Sequence, residues 1–460
     1  MAMNHTSPLG KIKGAIVIIC LVLILGILGC AYISDIYTTV LGKDEITNKI
    51  DDFEEKESEY EYVSSYLKRY GIGNINAYKI NEAETKFSTY YYKDLPDKQT
   101  MAKTIANLFL EYFYDKIDLN DKNAVTDAVL QCYVYALEDP YAYYRTPKEF
   151  LDYTEDLEGG DDFVGIGIQF DRNTLEIIMV YKDSGAYDAG IRAKDVLYGV
   201  GDKTSDDTDV DTLLNMIAGE AGTSVKIKVK RDGEVLEFDV MRRVLATKTV
   251  SYEMLDGGVG YIYVTQFLGS TAQEFVEAVD YCTEMNASSI VIDLRYNPGG
   301  LVSTAVSMID YLVPDAEGRK IVSYNYAEYE QAFYTSDGHS VDLPIAIICN
   351  EYSASASEIF TGAIRDFRNE GLIEAVIVGD TTYGKGIVQT SFNLYDGSAL
   401  TFTISYFYPP SGVNFHDVGI SPDFVAEESY EEDVPLKVAI EKVLLLIEEE
   451  ETTAAYGYAA

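Results

Sequence analysis

Three serines at alternate positions are the first residues in this sequence that could do chemistry. Ser353, Ser355 and Ser357 stand in "NEYSASASEIF", where a buried strand pattern runs into a helical one. Backbone N–H groups at the start of a helix lack intrahelical partners, so an oxyanion formed beside one of these serines would find donors. Serine is also a preferred helix cap, and small neighbours let a helix lie close to a sheet. From this stretch alone, a nucleophile and a plain helix start both stay open.

A serine nucleophile needs a group that takes its proton. Of the three histidines, His339 lies in a polar loop, and His416, in "NFHDVG", has no obvious partner. Lys385 in "YGKGIVQT" is the better candidate, because apolar runs on both sides would bury its amine and burial lowers a lysine pKa. A surface lysine on a glycine turn would give the same pattern. Gln389 could orient Lys385 only if the chain turns at Gly386, since a straight strand would separate them by roughly 13 Å.

A Pro-Gly-Gly turn supplies candidate donors for an oxyanion. The sequence "DLRYNPGGL" ends a predicted buried strand and precedes a helix. Glycines allow a backbone amide to approach a site without an intervening side chain. Gly299 or Gly300, together with the amide of Ala356, would make a two-donor oxyanion hole. A simple strand-to-helix turn is the alternative.

Hydrophobic periodicity indicates the elements that must position these residues. From Gly258 onward, short apolar runs alternate with helical patterns, which is typical of a layered α/β core. Before it, short β-branched runs and a hairpin signal at "RDGE" predict a small β-rich module. The predicted organisation is an anchor (1–34), a charged stalk (35–98), a helical region (99–160), the β-rich module (161–242), the α/β core (243–428), and a C-terminal helix with an acidic tail (429–460).

Composition excludes some classes of partner and cofactor. The formal net charge is −40, which disfavours nucleic acid as a partner because the surface would repel its phosphates. The five cysteines form no CxxC pair, so neither a zinc site nor a disulfide framework is expected, and we predict no metal and no other cofactor.

An uncharged apolar run marks the N-terminus. Residues 14–33 are long enough to cross a bilayer as one helix, with Lys11 and Lys13 before it and Asp35 after it. We therefore expect a single-pass anchor in the cell membrane, with the rest of the chain extracytoplasmic. A lipoprotein modified at Cys30 and a buried core helix are the alternatives.

Taken together, the motifs resemble those of the carboxy-terminal processing proteases, also called tail-specific proteases. The segments that carry the resemblance are, in order, "EDPYAYY", "FVGIG", "DLRYNPGG", "NEYSASASE", "YGKGIVQT" and "DGSALTFTISYFYPPSG", and it spans residues 105–426. It implies Ser355 as nucleophile, Lys385 as base and Gln389 as its support. The implied fold is an α/β layered protease core of crotonase-like type, with an inserted PDZ domain and an N-terminal helical region.

The resemblance also implies how substrates are recognised. The PDZ domain would bind a protein C-terminus with an apolar last residue in the loop of Gly165, Ile166, Gly167 and Ile168, whose backbone amides could hold a carboxylate. Homodimerisation is a further implication. The chain departs from the family pattern at Lys194, which stands where a glycine is usual, and in a longer segment around "RNEGLIEA".

The sequence therefore predicts an extracytoplasmic serine endopeptidase that recognises protein C-termini and cleaves with a Ser-Lys dyad. A non-catalytic PDZ adaptor on a dead protease fold is the first alternative. A Ser-Lys hydrolase acting on non-peptide acyl groups is the second.

Overall fold

The computed structural model describes residues 62–457, apart from 160–162, 172–173, 182–183, 246–247, 315–317, 328, 336–339 and 430–431. Four helices form the N-terminal region, and three of them begin at an Asn or Asp whose side chain accepts backbone N–H groups of the first turn. A short strand and a fifth helix follow. These elements are α1 (Val63–Arg69), α2 (Ala77–Tyr90), α3 (Lys98–Tyr112), α4 (Lys122–Ala136), β1 (Tyr143–Arg145) and α5 (Pro147–Glu158).

The predicted charged stalk is corrected in its described part. Helices α1 and α2 bury apolar side chains such as Val63, Leu67 and Phe87, and these pack into the main hydrophobic core. Residues 62–98 are therefore part of the packed helical region, because their apolar positions recur at helical spacing among the charges. Residues 35–61 lie outside the described residues.

A β-rich module follows the helical region. Its longest hairpin joins β7 and β8 through Asp232 and Gly233, both at positive φ, as the "RDGE" signal predicted. The module has its own apolar core, which includes Ile166, Leu197 and Leu213. Its elements are β2 (Phe163–Gly165), β3 (Ile168–Phe170), β4 (Ile177–Val180), α6 (Gly185–Ala189), β5 (Val196–Val200), β6 (Lys203–Thr204), α7 (Val210–Ile217), β7 (Ser224–Arg231), β8 (Glu234–Met241) and β9 (Arg243–Leu245).

A six-stranded sheet forms the centre of the α/β core, in the order β10-β11-β12-β15-β16-β19. Within this sheet β11, β12, β15, β16 and β19 run parallel, while β10 pairs antiparallel with β11. The elements of this layer are β10 (Val250–Leu255), β11 (Val259–Val264), α8 (Thr271–Glu284), β12 (Ser289–Asp293), α9 (Val302–Leu312), β15 (Ile345–Cys349), α10 (Ala356–Asn369), β16 (Ala375–Gly379), β19 (Phe424–Val425) and α11 (Val434–Gly457).

Helices cover both faces of this sheet, which explains why its strands are apolar at nearly every position. Ile290 and Ile345 share a core with residues of α8, α9 and α10, whereas Val291 and Ala346 pack with Ala439 of α11 on the other face. Helix α11 extends to Gly457 and therefore includes the acidic residues that were predicted to form a tail.

A second sheet joins the core to the N-terminal region. Its strands are β13 (Lys320–Tyr326), β14 (Tyr329–Tyr334), β17 (Ile387–Asn393) and β18 (Ala399–Tyr408), together with β1. Strand β18 pairs with β17 on one edge and with β1 and β13 on the other. The strand that follows Lys385 is thereby fixed to the helical region.

The predicted localisation is corrected. Across the part of the chain that the structure describes, no helix is both long and apolar enough to cross a bilayer, and this finding overturns the single-pass assignment. Residues 14–33 and Cys30, on which that assignment rested, lie outside the described residues.

Candidate active site

The three serines differ sharply in their surroundings. Ser353 and Ser357 are fully buried, and their hydroxyls donate to the carbonyls of Leu294 at 2.8 Å and Asn297 at 2.9 Å. Ser355 is half-buried and has a positive φ of 57°, a strained conformation for a residue with a Cβ. The turn between β15 and α10 therefore leaves the middle serine partly exposed, while the outer two are buried. The geometry therefore favours Ser355 as nucleophile and gives the outer two serines a structural role.

The Pro-Gly-Gly turn lies directly against the serine turn. A Cβ placed on Gly299 would lie 2.6 Å from the carbonyl oxygen of Ala354 and 2.8 Å from the nitrogen of Ala356, so only glycine fits there. The two turns are also joined by a hydrogen bond of 3.0 Å from the Ala354 amide to the carbonyl of Asn297. The predicted oxyanion donors are thus brought to the candidate nucleophile.

The predicted donors are not equally available. The Gly299 amide donates to the side-chain oxygen of Asn297 at 2.9 Å. Within the described residues, the amides of Gly300 and Ala356 donate to no acceptor. Gly300 and Ala356 are therefore the better pair for an oxyanion hole, and Gly299 is the residue that lets the turns approach.

Lys385 lies in the loop between β16 and β17, and the residue is half-buried. The amine nitrogen lies 4.3 Å from the centre of the Tyr141 ring. In the described part of the chain it donates no hydrogen bond. Burial lowers the pKa of Lys385 to about 8, although the nearby charges of Asp139 and Glu358 act in the opposite direction. The amine therefore loses its proton at a lower pH than an ordinary lysine does, as a general base requires.

Glu358 connects the two candidate catalytic turns, and sequence reasoning missed it. Its fully buried carboxylate accepts the backbone N–H groups of Ser355 at 2.9 Å and Lys385 at 2.8 Å on one oxygen. The other oxygen accepts the Gly384 amide at 2.7 Å and the Thr382 hydroxyl at 2.6 Å. Burial raises the pKa of Glu358, while these four donors lower it. A Glu three residues after a helix-start serine is a capping-box pattern, which was the available signal.

Gln389 lies near Lys385 in sequence but makes other contacts. Strand β17 begins at Ile387, and the β17–β18 ladder shifts register between Val388 and Gln389, so the chain from 385 to 389 is not one straight strand. The side-chain nitrogen of Gln389 lies 3.3 Å from the hydroxyl of Thr403. No hydrogen bond between Gln389 and Lys385 is present in the described residues, and its supporting role stays a prediction.

His416 contacts the lysine turn, which the sequence did not indicate. Its ring nitrogen Nδ1 lies 3.2 Å from the carbonyl oxygen of Gly384. The neighbouring Asn414 donates to the carbonyl of Gly386 at 2.8 Å. A Cβ on Gly386 would lie 2.7 Å from the backbone nitrogen of His416, so only glycine fits at this position. The segment 414–419 therefore holds the turn that carries Lys385.

The predicted peptide-binding loop lies between β2 and β3 of the β-rich module. Gly165 pairs with β9, and a Cβ on Gly167 would lie 2.1 Å from the Cβ of Ser184. The module also reaches the nucleophile loop, where the hydroxyl of Tyr352 donates to Glu176 at 3.3 Å. Binding of a peptide by Gly165, Ile166, Gly167 and Ile168 stays a prediction. Among the described residues, no group of three or more His, Cys, Asp or Glu could hold a metal ion.

Comparison with known proteins identifies the class to which this fold and site belong. Residues 258–426 match the model of peptidase family S41, and residues 164–241 match a PDZ domain. A probable CtpA-like serine protease of Staphylococcus haemolyticus (strain JCSC1435) is 35% identical over 325 residues, covering 68% of this chain and 63% of that protein. A similar protein of Staphylococcus saprophyticus is 34% identical over 323 residues, covering 69% of this chain and 63% of that protein.

The chain spans less than two thirds of the length of these curated relatives. A solved structure of a photosystem II D1 C-terminal processing protease shares the fold, with a TM-score of 0.54 and 22% identity, covering 77% of this chain and 92% of that one. The molecule is thus of the class that combines a mixed α/β peptidase fold with a PDZ domain. Residues 258–426 belong to peptidase family S41 and residues 164–241 to the PDZ domains, which confirms the resemblance to the carboxy-terminal processing proteases.

Proposed function

We propose that this chain is a serine endopeptidase that binds the C-terminus of a protein substrate through its PDZ domain and cleaves with Ser355 and Lys385. The family membership and the names of its relatives support a serine peptidase. The dyad assignment is supported by the strained, half-buried Ser355 and the lowered pKa of Lys385.

The observation that carries this proposal is the carboxylate of Glu358. One of its oxygens accepts the backbone N–H groups of both Ser355 and Lys385. A single buried group therefore fixes the two turns relative to each other, which is what a reaction between their side chains requires.

The proposed reaction proceeds in two stages. Neutral Lys385 accepts the proton of the Ser355 hydroxyl as its oxygen bonds to the peptide carbonyl carbon, and the oxyanion is stabilised by the amides of Gly300 and Ala356. The lysine ammonium then gives its proton to the leaving amine as the C–N bond breaks. The same lysine then takes a proton from water as the water oxygen bonds to the acyl carbon, and it returns this proton to the Ser355 oxygen as the ester bond breaks. Gln389 would support Lys385 in this cycle.

Substrate choice is assigned to the PDZ domain. Capture of a terminal carboxylate by the loop of residues 165–168, with the peptide added as a strand, would favour protein substrates with an exposed apolar C-terminus. We also propose that the core has a crotonase-like fold and that the chain forms a homodimer.

The first alternative is a PDZ adaptor without catalysis. Its site would have no need of a lysine with a lowered pKa, so the lowered pKa of Lys385 argues against an adaptor. The PDZ match argues against a hydrolase for non-peptide acyl groups.

The test incubates the full chain with pairs of proteins that differ only in their last three residues. Ser355→Ala and Lys385→Ala are run alongside. We expect cleavage that depends on the tail and is lost in both variants. Cleavage that survives Lys385→Ala at neutral pH would contradict the dyad, and binding without cleavage in the parent would favour the adaptor.

A further inference from the structure

A segment of the N-terminal region reaches the candidate base. After α4 the chain turns at Glu138, which has a positive φ of 52°, and Asp139 becomes buried. The carboxylate of Asp139 accepts the amide of Thr403 in β18 at 3.0 Å and the amide of Tyr141 at 3.0 Å. Because β18 pairs with the strand that follows Lys385, the bond from Thr403 fixes the segment beside that strand, while the bond from Tyr141 shapes the segment itself.

The amine of Lys385 meets this segment through the face of an aromatic ring. Its nitrogen lies 4.3 Å from the centre of the Tyr141 ring, well within the distance at which a ring attracts a cation. No hydrogen bond from this amine is present among the residues that the structure describes. The ring face of Tyr141 is therefore the closest favourable contact for the protonated amine.

We propose that Tyr141 and Asp139 are positioning residues for Lys385, which hold its protonated amine at the site through a ring face and a nearby negative charge. The inference rests on the proposed function of Lys385 as the base. A partly buried amine with no such support would bind its proton too weakly to take one from serine and carry it to the leaving group.

Two other groups, Glu358 and His416, face this amine or its turn and act differently. Glu358 is the second negative charge near Lys385, but its oxygens are engaged by four donors, and it connects backbone to backbone. His416 contacts the carbonyl of Gly384 rather than the amine. Tyr141 and Asp139 are thus the groups whose removal should change proton binding at Lys385 without detaching its turn.

The test measures the protonation of Lys385 directly. The Ser355→Ala chain is labelled with acetic anhydride across a range of pH, and acetylation of the Lys385 peptide is followed by mass spectrometry. Tyr141→Leu should shift the midpoint of labelling toward acid by about half a pH unit or more, and Asp139→Asn by about one unit. Tyr141→Phe keeps the ring face, so its midpoint of labelling should equal that of the Ser355→Ala parent. Tyr78→Leu, which removes an exposed tyrosine of the same region, should not move it.

Equal midpoints for Tyr141→Leu and Tyr141→Phe would overturn the proposal. If Tyr141→Leu does not fold, Tyr141→Met fills the same space without a ring and gives the same comparison. Because labelling needs no catalysis, a parent chain that cleaves nothing would refute the proposed function while the midpoints still decide this inference.

Discussion

At the residue scale, the site depends on Glu358 as well as on the two proposed catalytic side chains. Its buried carboxylate accepts four donors, one from the Ser355 turn and three from the segment 382–385 that carries Lys385. Replacement of one oxygen by an amide group would turn two of these hydrogen bonds into donor–donor contacts. The consequence should appear both in stability and in catalysis, because the same bonds hold the Ser355 and Lys385 turns.

We expect Glu358→Gln to lower the free energy of unfolding by about 2–4 kcal/mol and to reduce kcat at least about tenfold, since buried donors lose their partner. Urea unfolding and steady-state kinetics measure the two effects. Glu351→Gln, at an exposed position of the preceding loop, is the matched control and should change neither. A Glu358→Gln chain with parent stability and parent kcat would show that the carboxylate does not connect the turns.

Residue types and order in the sequence indicated some of this site but not all of it. Ser355, Lys385 and the Pro-Gly-Gly turn stand in short motifs, and the local backbone geometry of such motifs can be predicted from residue types alone. Tyr141 and His416 reach the lysine turn through contacts between segments far apart in sequence, which no local pattern encodes. The engagement of the Gly299 amide by Asn297 likewise depends on the folded turn.

At the scale of elements, close approach of glycine turns assembles the site. Gly300 has a positive φ of 145°, and a Cβ there would lie 2.1 Å from the carbonyl oxygen of Phe267. That carbonyl accepts the amide of Leu301 at 2.7 Å, so the turn cannot move away without losing a hydrogen bond. The amide of Gly300 is therefore placed by backbone packing alone.

Gly300→Ala should displace this turn, weaken the oxyanion hole and lower kcat by about a hundredfold, the usual effect of losing one such donor. KM should change much less, since substrate binding does not depend on the oxyanion. Gly73→Ala, at a position where a Cβ meets no neighbour within 4 Å, is the control for glycine replacement. Equal kcat values in the two variants would contradict the placement of the oxyanion hole.

The elements themselves were predicted unevenly. Two kinds of strand were predicted correctly because a single hydrophobic pattern dominates each. They are the continuous apolar run Ile345–Cys349 and the alternating hairpin β7–β8. Strand β14 has tyrosines at both ends and no fully buried position, so its sequence had no such signal. Its pairing with β13 supplies what the local pattern lacks.

At the scale of the molecule, a buried cation joins the helical region to the second sheet. Lys79 of α2 is almost fully buried, and its amine contacts Asp127 at 2.9 Å, Asp396 at 2.7 Å and the hydroxyl of Tyr144 at 2.7 Å. Asp396 lies in the turn between β17 and β18, so the cluster connects α2 to the hairpin that carries Gln389. These side chains are far apart in sequence, so no local pattern predicted this cluster.

Lys79→Met should lower the free energy of unfolding by about 3 kcal/mol, because it leaves two acidic groups without their cation in a largely buried place. Thermal or urea unfolding measures the loss. Lys148→Met, at a side chain that is 84% exposed, should change stability by less than about 0.5 kcal/mol. Similar unfolding curves for the two variants would contradict the role given to Lys79.

The most direct test of the central claim identifies the reactive serine and its base in one measurement. A fluorophosphonate probe is reacted with the full chain across a range of pH, and the modified residue is located by mass spectrometry. We predict modification of Ser355, at a rate that rises as pH passes through about 8 because Lys385 loses its proton there, and that is lost in Lys385→Met. Modification of Ser353 or Ser357, or an equal rate in Lys385→Met, would contradict the dyad.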